Sequence, residues 1–372
     1  MPVVTHGWPL FQKAMSTVLK LGAETLGQKA ARSNSEASWW TPHVMRYLLA
    51  SAFSICIILP VIAGGLDAQS VNSAEFTSKV NKDKADPTVV KATILLDRAK
   101  FSPGEIDGKL GDNAKKALNA FAQANGLPTG QSLTPELWTK LVATSEDPVI
   151  TQYKITESDT KGPFLKRLPT KLEDMKNIKA LNYTSPREAI AERFHMSESL
   201  LVSLNPGKHF DKVGETISVA NVLDRVSKPN IGRIEVYKSL QSVKAFDDQG
   251  VLVAFFPASI GSDEKPTPAG TLKITSTDAN PTYRYNPNYK FKGVKSKEPF
   301  TIEPGPNNPV GTHWIGLSAE GFGIHGTPNP SKISKSESHG CVRLTNWDAA
   351  WLGKIVKKGT PVEFIDGDAR KS

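Results

Sequence analysis

Apolar residues follow several different rhythms along the chain, and each rhythm predicts a different kind of element. Residues 47–65 (YLLASAFSICIILPVIAGG) form a nearly unbroken apolar run, and residues 69–86 are polar without periodicity and read as a linker. Val89, Ala92, Leu96 and Ala99 recur at helical spacing, as do Ala114, Leu118, Phe121 and Ala122, with a Gly104, Asp107-Gly108, Gly111 turn between them. Asp112 is placed to cap the second helix and Gly126 with Pro128 to end it. Thr134-Pro135 opens a third, a cap followed by proline at the first helical position. Ser185-Pro186-Arg187-Glu188 then spells a capping box ahead of the apolar Ile190, Phe194 and Met196. Ser197 can cap another short helix through Leu204, stopped by Asn205-Pro206-Gly207 and flanked by strand-like stretches at 153–155 and 216–219.

From residue 231 the period shortens. Ile234-Glu235-Val236-Tyr237 alternates, 247–250 makes a turn, 251–256 is a buried apolar run, and Leu272-Lys273-Ile274 follows a Pro268-Ala269-Gly270 turn. Residues 277–312 are crowded with Pro, Asn, Gly and Lys and are expected to form a long loop of the kind that serves as a lid. Its Lys290, Lys292, Lys295 and Lys297 either attract an acidic substrate or form a solvated face. The expected organisation is a multidomain α+β chain: an extension and apolar segment at 1–68, the linker 69–86, a helical module at 87–145, a second small module at 150–225 and a β-rich domain at 231–367. A length of 372 residues suits two to four domains.

Composition adds a location. Arg46 precedes the apolar run and Ala68 follows it, the layout of a secretory signal cut near Ala68. The run is also long enough to stay as a membrane anchor. Residues 1–44 show no fold pattern, whereas Met45-Arg46 would begin a compact signal. Translation is therefore expected to start at Met45, which native N-terminal peptides from residues 1–44 would refute. An exported chain is a poor candidate for nucleic acid. Its net charge of +9 suits an anionic envelope polymer or membrane surface, or solubility alone. The chain has two cysteines: Cys56 lies inside the apolar run, so Cys341 is the single thiol beyond it and no internal disulfide is available there.

Chemistry concentrates in residues 324–349 (IHGTPNPSKISKSESHGCVRLTNWDA). A thiol attacks carbonyls as the thiolate, so a catalytic cysteine needs a base or a lowered pKa. His339, two residues before Cys341, and His325, sixteen before it, are both candidates. Gly340 lets backbone N–H groups near Cys341 approach a substrate oxygen. Arg343 can fork onto a carboxylate and support a thiolate. The residues alone leave other readings open: a packed cysteine, Arg343 paired with Asp348, or a zinc site, although the ligand spacing is not a standard one.

His325-Gly326-Thr327 followed by Ser338-His339-Gly340-Cys341-Val342-Arg343 resembles the L,D-transpeptidase signature. Thr267-Pro268-Ala269-Gly270, Gly305-Pro306-Asn307-Asn308-Pro309, Trp314-Ile315-Gly316-Leu317 and the tail from Trp347-Asp348 to Gly359-Thr360-Pro361-Val362 extend it. The resemblance implies a mixed β-sheet catalytic domain with a short helix, here capped by Thr345 or Asn346 and ended by Gly359. It makes Cys341 the nucleophile and His325 the base, oriented by the carbonyl of Gly326. Ser338, His339 and Gly340 shape the site and oxyanion hole, and Arg343 contacts substrate or holds the loop. No metal or organic cofactor is needed. The implied partners are peptidoglycan stem peptides and glycan, in the periplasm or cell envelope. The acceptor is left open among a stem amine, water, an envelope-lipoprotein lysine and a D-amino acid. Residues 87–145, through the DGxxG turn, the AxxxF helix and GLPxxG, resemble a three-helix peptidoglycan-binding domain. Residues 150–225 resemble a lysin-motif domain, except that 160–180 departs from the pattern and reads as an insertion. A non-catalytic wall-binding scaffold is the rival of another class.

Overall fold

The computed structural model describes residues 65–222, 229–261, 267–289, 294–336 and 340–366, all within one compact unit. The apolar run, apart from Gly65, lies outside the described residues, as do Cys56, Ser338 and His339. No helix among the described residues is long and apolar enough to cross a membrane.

The first elements are helical. Helix α1 (Ala68–Asn72) is capped by Asp67 and buries Val71, and the Asn72 side chain bonds both the N–H and the C=O of Ile150, at 2.8 and 3.0 Å. Part of the stretch expected as a linker is thus folded against the body. Helices α2 (Pro87–Arg98), α3 (Asp112–Ala124) and α4 (Pro135–Val142) follow. Gly111, not Asp112, takes the N-cap of α3. Asp112 moves into the first turn, where its charge still complements the helix dipole. Thr134 caps α4 as expected, its hydroxyl accepting from the Leu137 N–H.

Strand β1 (Ile150–Lys154), the single turns α5 (Glu157–Thr160) and α6 (Leu172–Met175), helices α7 (Pro186–Arg193) and α8 (Glu198–Leu204), and strand β2 (Thr216–Ala220) come next. β1 and β2 pair antiparallel. Ser185 caps α7 and Ser197 caps α8, each accepting a backbone N–H at 3.1 Å. The capping box on α7 closes only halfway. The Glu188 carboxylate turns to the N–H and hydroxyl of Thr184, one residue earlier, because its other oxygen accepts from the Asn307 side chain at 2.9 Å.

The two small modules do not hang as beads. Leu95, Phe121 and Leu141 share one apolar core with Phe194, Leu201 and Val219, and that core takes in Phe246, Leu252 and Phe255 of the following sheet. Segments this short bury a smaller fraction of their apolar surface alone, so pooling it adds stability. Backbone bonds join the pieces: Ser102 N–H to Phe255 O at 2.8 Å, and Ile106 N–H to His195 O at 2.9 Å.

The sheet domain holds β3 (Arg233–Tyr237), β4 (Ser242–Phe246), β5 (Leu252–Pro257), β6 (Gly270–Ala279), β7 (Tyr283–Tyr285), β8 (Phe300–Ile302), β9 (His313–Leu317), β10 (Gly323–His325), β11 (Val342–Arg343), helix α9 (Asn346–Ile355) and β12 (Pro361–Ile365). Eight of these strands form a mixed sheet in the order β11-β10-β9-β6-β12-β3-β4-β5, parallel at β10/β11 and β12/β3. Alternating Ile234, Val236, Ile315 and Val362 pack with Ala349 and Leu352 of α9 into a second core. Thr345 supplies the N-cap of α9, and Asn346 is its first residue.

The expected lid loop is only partly a loop. β6 continues through Ala279, and β7 and β8 form an antiparallel hairpin. Tyr283, Phe300 and Ile302 of that hairpin pack on Leu165, Met175 and Leu181, residues between β1 and α7. Sequence polarity hid these short strands because their apolar partners lie more than a hundred residues away. Lys295 and Lys297 are exposed, while Lys290 and Lys292 lie outside the described residues.

Candidate active site

The site forms at the β10/β11 edge of the large sheet. The parallel register sets His325 opposite Arg343 and Ile324 opposite Val342, and the Leu344 N–H bonds His325 O at 2.8 Å. Cys341 immediately precedes β11. Gly340 before it has φ +103°, a backbone region closed to L side chains, so the turn that presents the thiol requires glycine there.

His325 is buried, at 4% exposure, and its imidazole stacks on the Trp314 indole, with ring centroids 5.6 Å apart. Its Nδ1 lies 2.7 Å from the carbonyl oxygen of Gly326. A carbonyl can only accept, so Nδ1 carries the proton and Nε2 is left as a free base. Burial, and then the charge of Arg343, push the imidazole pKa down to about 3 against the opposing Gly326 bond. Cys341 is partly exposed, and its Sγ lies 3.6 Å from Gly321 O. Desolvation raises its pKa, partly offset by the Gly323 N–H and by Arg343. The resting pair is therefore a neutral imidazole and a thiol, an arrangement suited to general-base activation.

Arg343 Nε is buried with no hydrogen-bond partner among the described residues. Its charge acts on Cys341 and on Tyr283 of the β7–β8 hairpin. The Asp348 carboxylate points elsewhere, accepting from Ser102 Oγ at 2.8 Å in a cluster with Asp97 and His195, so it is not tied up with Arg343. A cavity of about 150 Å³ lies in that second region, lined by Trp347, Trp351, His195 and Lys100 among others.

One residue at the site figures in the sequence only as a possible helix cap. The Asn346 side chain is buried, and both ends of its amide are engaged. Its Oδ1 accepts from the N–H groups of Thr312 at 3.0 Å and Thr327 at 3.1 Å, and its Nδ2 donates to Pro306 O at 3.1 Å and Glu192 Oε1 at 2.8 Å. A Cβ on Gly326 would sit 2.2 Å from that Oδ1, which explains glycine beside the histidine. Trp314 belongs to a sequence motif that gave it no role, and the structure sets it against the His325 ring. No local signal announces Glu192 or Tyr283.

Residues 231–364 match the YkuD family, described as the L,D-transpeptidase catalytic domain. Over those residues the chain is thus similar to an L,D-transpeptidase catalytic domain. A Bacillus licheniformis protein named as the L,D-transpeptidase YkuD is 29% identical over 179 residues, 48% of this chain and 92% of its own length. An Escherichia coli K12 protein named as the L,D-transpeptidase YbiS is 30% identical over 191 residues, 49% of this chain and 61% of its own. Cys341, His325, Gly326 and Arg343 all fall inside the matched domain, whereas Glu192 and the helical segments before residue 231 fall outside it.

Proposed function

We propose that the chain is a peptidoglycan L,D-transpeptidase in which Cys341 is the nucleophile and His325 the base. The observation that carries the reading is the Nδ1–Gly326 O bond, which leaves Nε2 of a neutral, buried imidazole as the proton acceptor on the strand beside the cysteine. Sγ attacks the carbonyl of the L-centred residue of a tetrapeptide stem while its proton passes to His325 Nε2. Backbone N–H groups around Gly340 and Cys341 receive the developing oxyanion. The C–N bond to D-Ala breaks, the departing amine takes the proton from His325, and a thioester remains. An acceptor amine then attacks, gives a proton to His325, and the thiol is regenerated with that proton as the cross-link forms. The buried Nε of Arg343, without a hydrogen-bond partner among the described residues, suits a substrate carboxylate. Residues 87–145 and 150–225 would hold glycan near the site, and export to the envelope would follow from residues 47–65. Water, a lipoprotein lysine or a D-amino acid in place of the acceptor amine gives the other outcomes of the same chemistry.

The test incubates the purified protein, wild type and Cys341→Ala, with a disaccharide-tetrapeptide and reads products by mass spectrometry. Cross-linked dimer from wild type, lowered by at least about 10³-fold in the variant, supports the reading. Tripeptide alone points to the hydrolytic outcome. No product from either, with lysine and D-amino-acid acceptors also supplied, would leave a wall-binding scaffold.

A further inference from the structure

Glu192 sits on α7, well before the matched transpeptidase domain begins at residue 231, yet its carboxylate reaches the histidine loop. Oε1 accepts from Asn346 Nδ2 at 2.8 Å and from the Tyr183 hydroxyl at 3.1 Å. The same Asn346 amide accepts the Thr327 N–H at 3.1 Å through its other end. Thr327 follows Gly326, whose carbonyl holds His325 Nδ1 at 2.7 Å. The connection runs from carboxylate to amide, amide to the Thr327 backbone, and along one peptide to the carbonyl that sets the imidazole.

The geometry points to Glu192 as a positioning residue for the catalytic base, acting through the orientation of Asn346. This rests on the reading of His325 as the base. An asparagine amide has two nearly isosteric orientations, and the right one must be chosen by its neighbours. At one end stand two N–H donors, Thr312 and Thr327; at the other stand two acceptors, Pro306 O and Glu192. A flipped amide would set NH₂ against two N–H groups. Glu192 Oε1 is the shorter of the two contacts, 2.8 Å against 3.1 Å for Pro306 O, and although desolvation raises the carboxyl pKa to about 7, an oxygen of the group can accept from Asn346 in either protonation state. Without it, Pro306 O alone fixes the amide's NH₂ end. The Thr327 segment then loosens and the Gly326 carbonyl moves with it. The second module reaches the site by another route as well, through Leu181 and Met175 against the β7–β8 hairpin. It is a built-in part of the catalytic apparatus, beyond any role in holding glycan.

The experiment measures kcat and KM for tetrapeptide turnover, and the iodoacetamide alkylation rate of Cys341 at fixed pH, in the full chain. Glu192→Ala is expected to lower kcat and the alkylation rate together by on the order of tenfold or more, since small displacements of a catalytic group are costly, with KM within about twofold. Glu192→Gln keeps an acceptor for Asn346 and is expected to recover most of the loss. Tyr183→Phe removes the other donor to the same oxygen and leaves Asn346 held, so its kcat should drop far less than that of Glu192→Ala. Equal losses in Glu192→Ala and Tyr183→Phe, no loss in a folded Glu192→Ala, or no recovery in Glu192→Gln would overturn the inference. If Glu192→Ala does not fold, Asn346→Asp carries the test. Its carboxylate still accepts from Thr312 and Thr327 but faces Glu192, so activity should fall and partly return when Glu192→Gln is added; absence of any return overturns the inference. Wild-type protein that alkylates but never cross-links would count against the proposed function alone, because the alkylation comparison still judges Glu192.

Discussion

A methyl group at position 326 tests how tightly the histidine loop is packed. The Gly326 backbone lies outside the left-handed region, so Gly326→Ala adds no backbone strain; the cost comes from its neighbour. The new Cβ would lie 2.2 Å from Asn346 Oδ1 and 3.2 Å from Asn346 Cα. The approach to the backbone carbon is tight but tolerable, while the amide oxygen must move by about 1 Å to reach van der Waals distance. That displacement takes it from the Thr312 and Thr327 N–H groups, now held at 3.0 and 3.1 Å. Each buried donor left without a partner costs about 1–3 kcal/mol, so Gly326→Ala should destabilise by about 2–6 kcal/mol. Asn346→Ala orphans the same two donors and should cost at least as much. Once the amide is gone, the oxygen at 2.2 Å is gone with it, and the remaining contact, Asn346 Cα at 3.2 Å, is the tolerable one. The double variant should therefore be about as stable as Asn346→Ala, with a coupling equal in size to the Gly326→Ala cost, about 2–6 kcal/mol, in a urea-unfolding cycle. Additivity within about 0.5 kcal/mol would refute the argument, since it would mean that the two residues do not compete for the same space.

The buried Asp348, next to Asp97, has its pKa raised from 3.8 to about 7, chiefly by desolvation. A raised carboxyl pKa stabilises the fold fully below the unfolded value, and that contribution is lost as pH rises through about 7. Asp348→Asn, whose carbonyl still accepts from Ser102, should therefore gain stability over wild type between pH 4 and 8, and parallel stability profiles of the two proteins would contradict this. Desolvation also raises the Cys341 pKa, so its alkylation rate should keep climbing above pH 8, and Arg343→Met, which removes an offsetting charge, should slow it further at a given pH. A rate plateau below pH 7 would show a preformed thiolate instead. Leu181 is fully buried between Met175 and Ile302, so Leu181→Ala should cost about 2–3 kcal/mol and speed hydrogen exchange in the β7–β8 hairpin. Unchanged protection there would mean that Leu181 does not support the hairpin. Thr345→Ala removes the hydroxyl that accepts the Asp348 N–H and should lower the melting midpoint by an amount equivalent to about 1 kcal/mol.

Much of this protein was legible before any coordinates. Thr134, Ser185 and Ser197 cap helices where their sequence context says they should, and Thr345 takes the cap left open between it and Asn346, because a cap interacts with residues only two or three positions away. The pairing of His325 with the carbonyl of the very next residue is also short-range, but it was expected only from the resemblance, since the residues alone left His325 and His339 both open. Even the errors are informative at this range: Asp112 missed the cap by one position, and Glu188 closed its box on Thr184 because the distant Asn307 claimed its other oxygen.

What the chain determines by itself is its local chemistry: the periods that make helices and strands, the caps that bound them, and the placing of a glycine-flanked thiol and a histidine in one short stretch. Only the tertiary structure decided that the two small modules and the sheet share one core, that the expected lid carries a hairpin buttressed by Leu181, and that Asn346 is a strut from Glu192 to the Thr327 backbone. The physical reason is range. An asparagine at the start of a helix has the same propensity whether its amide meets water or a carboxylate 154 residues away, so nothing in its neighbourhood along the chain distinguishes the two until the fold brings the partner in.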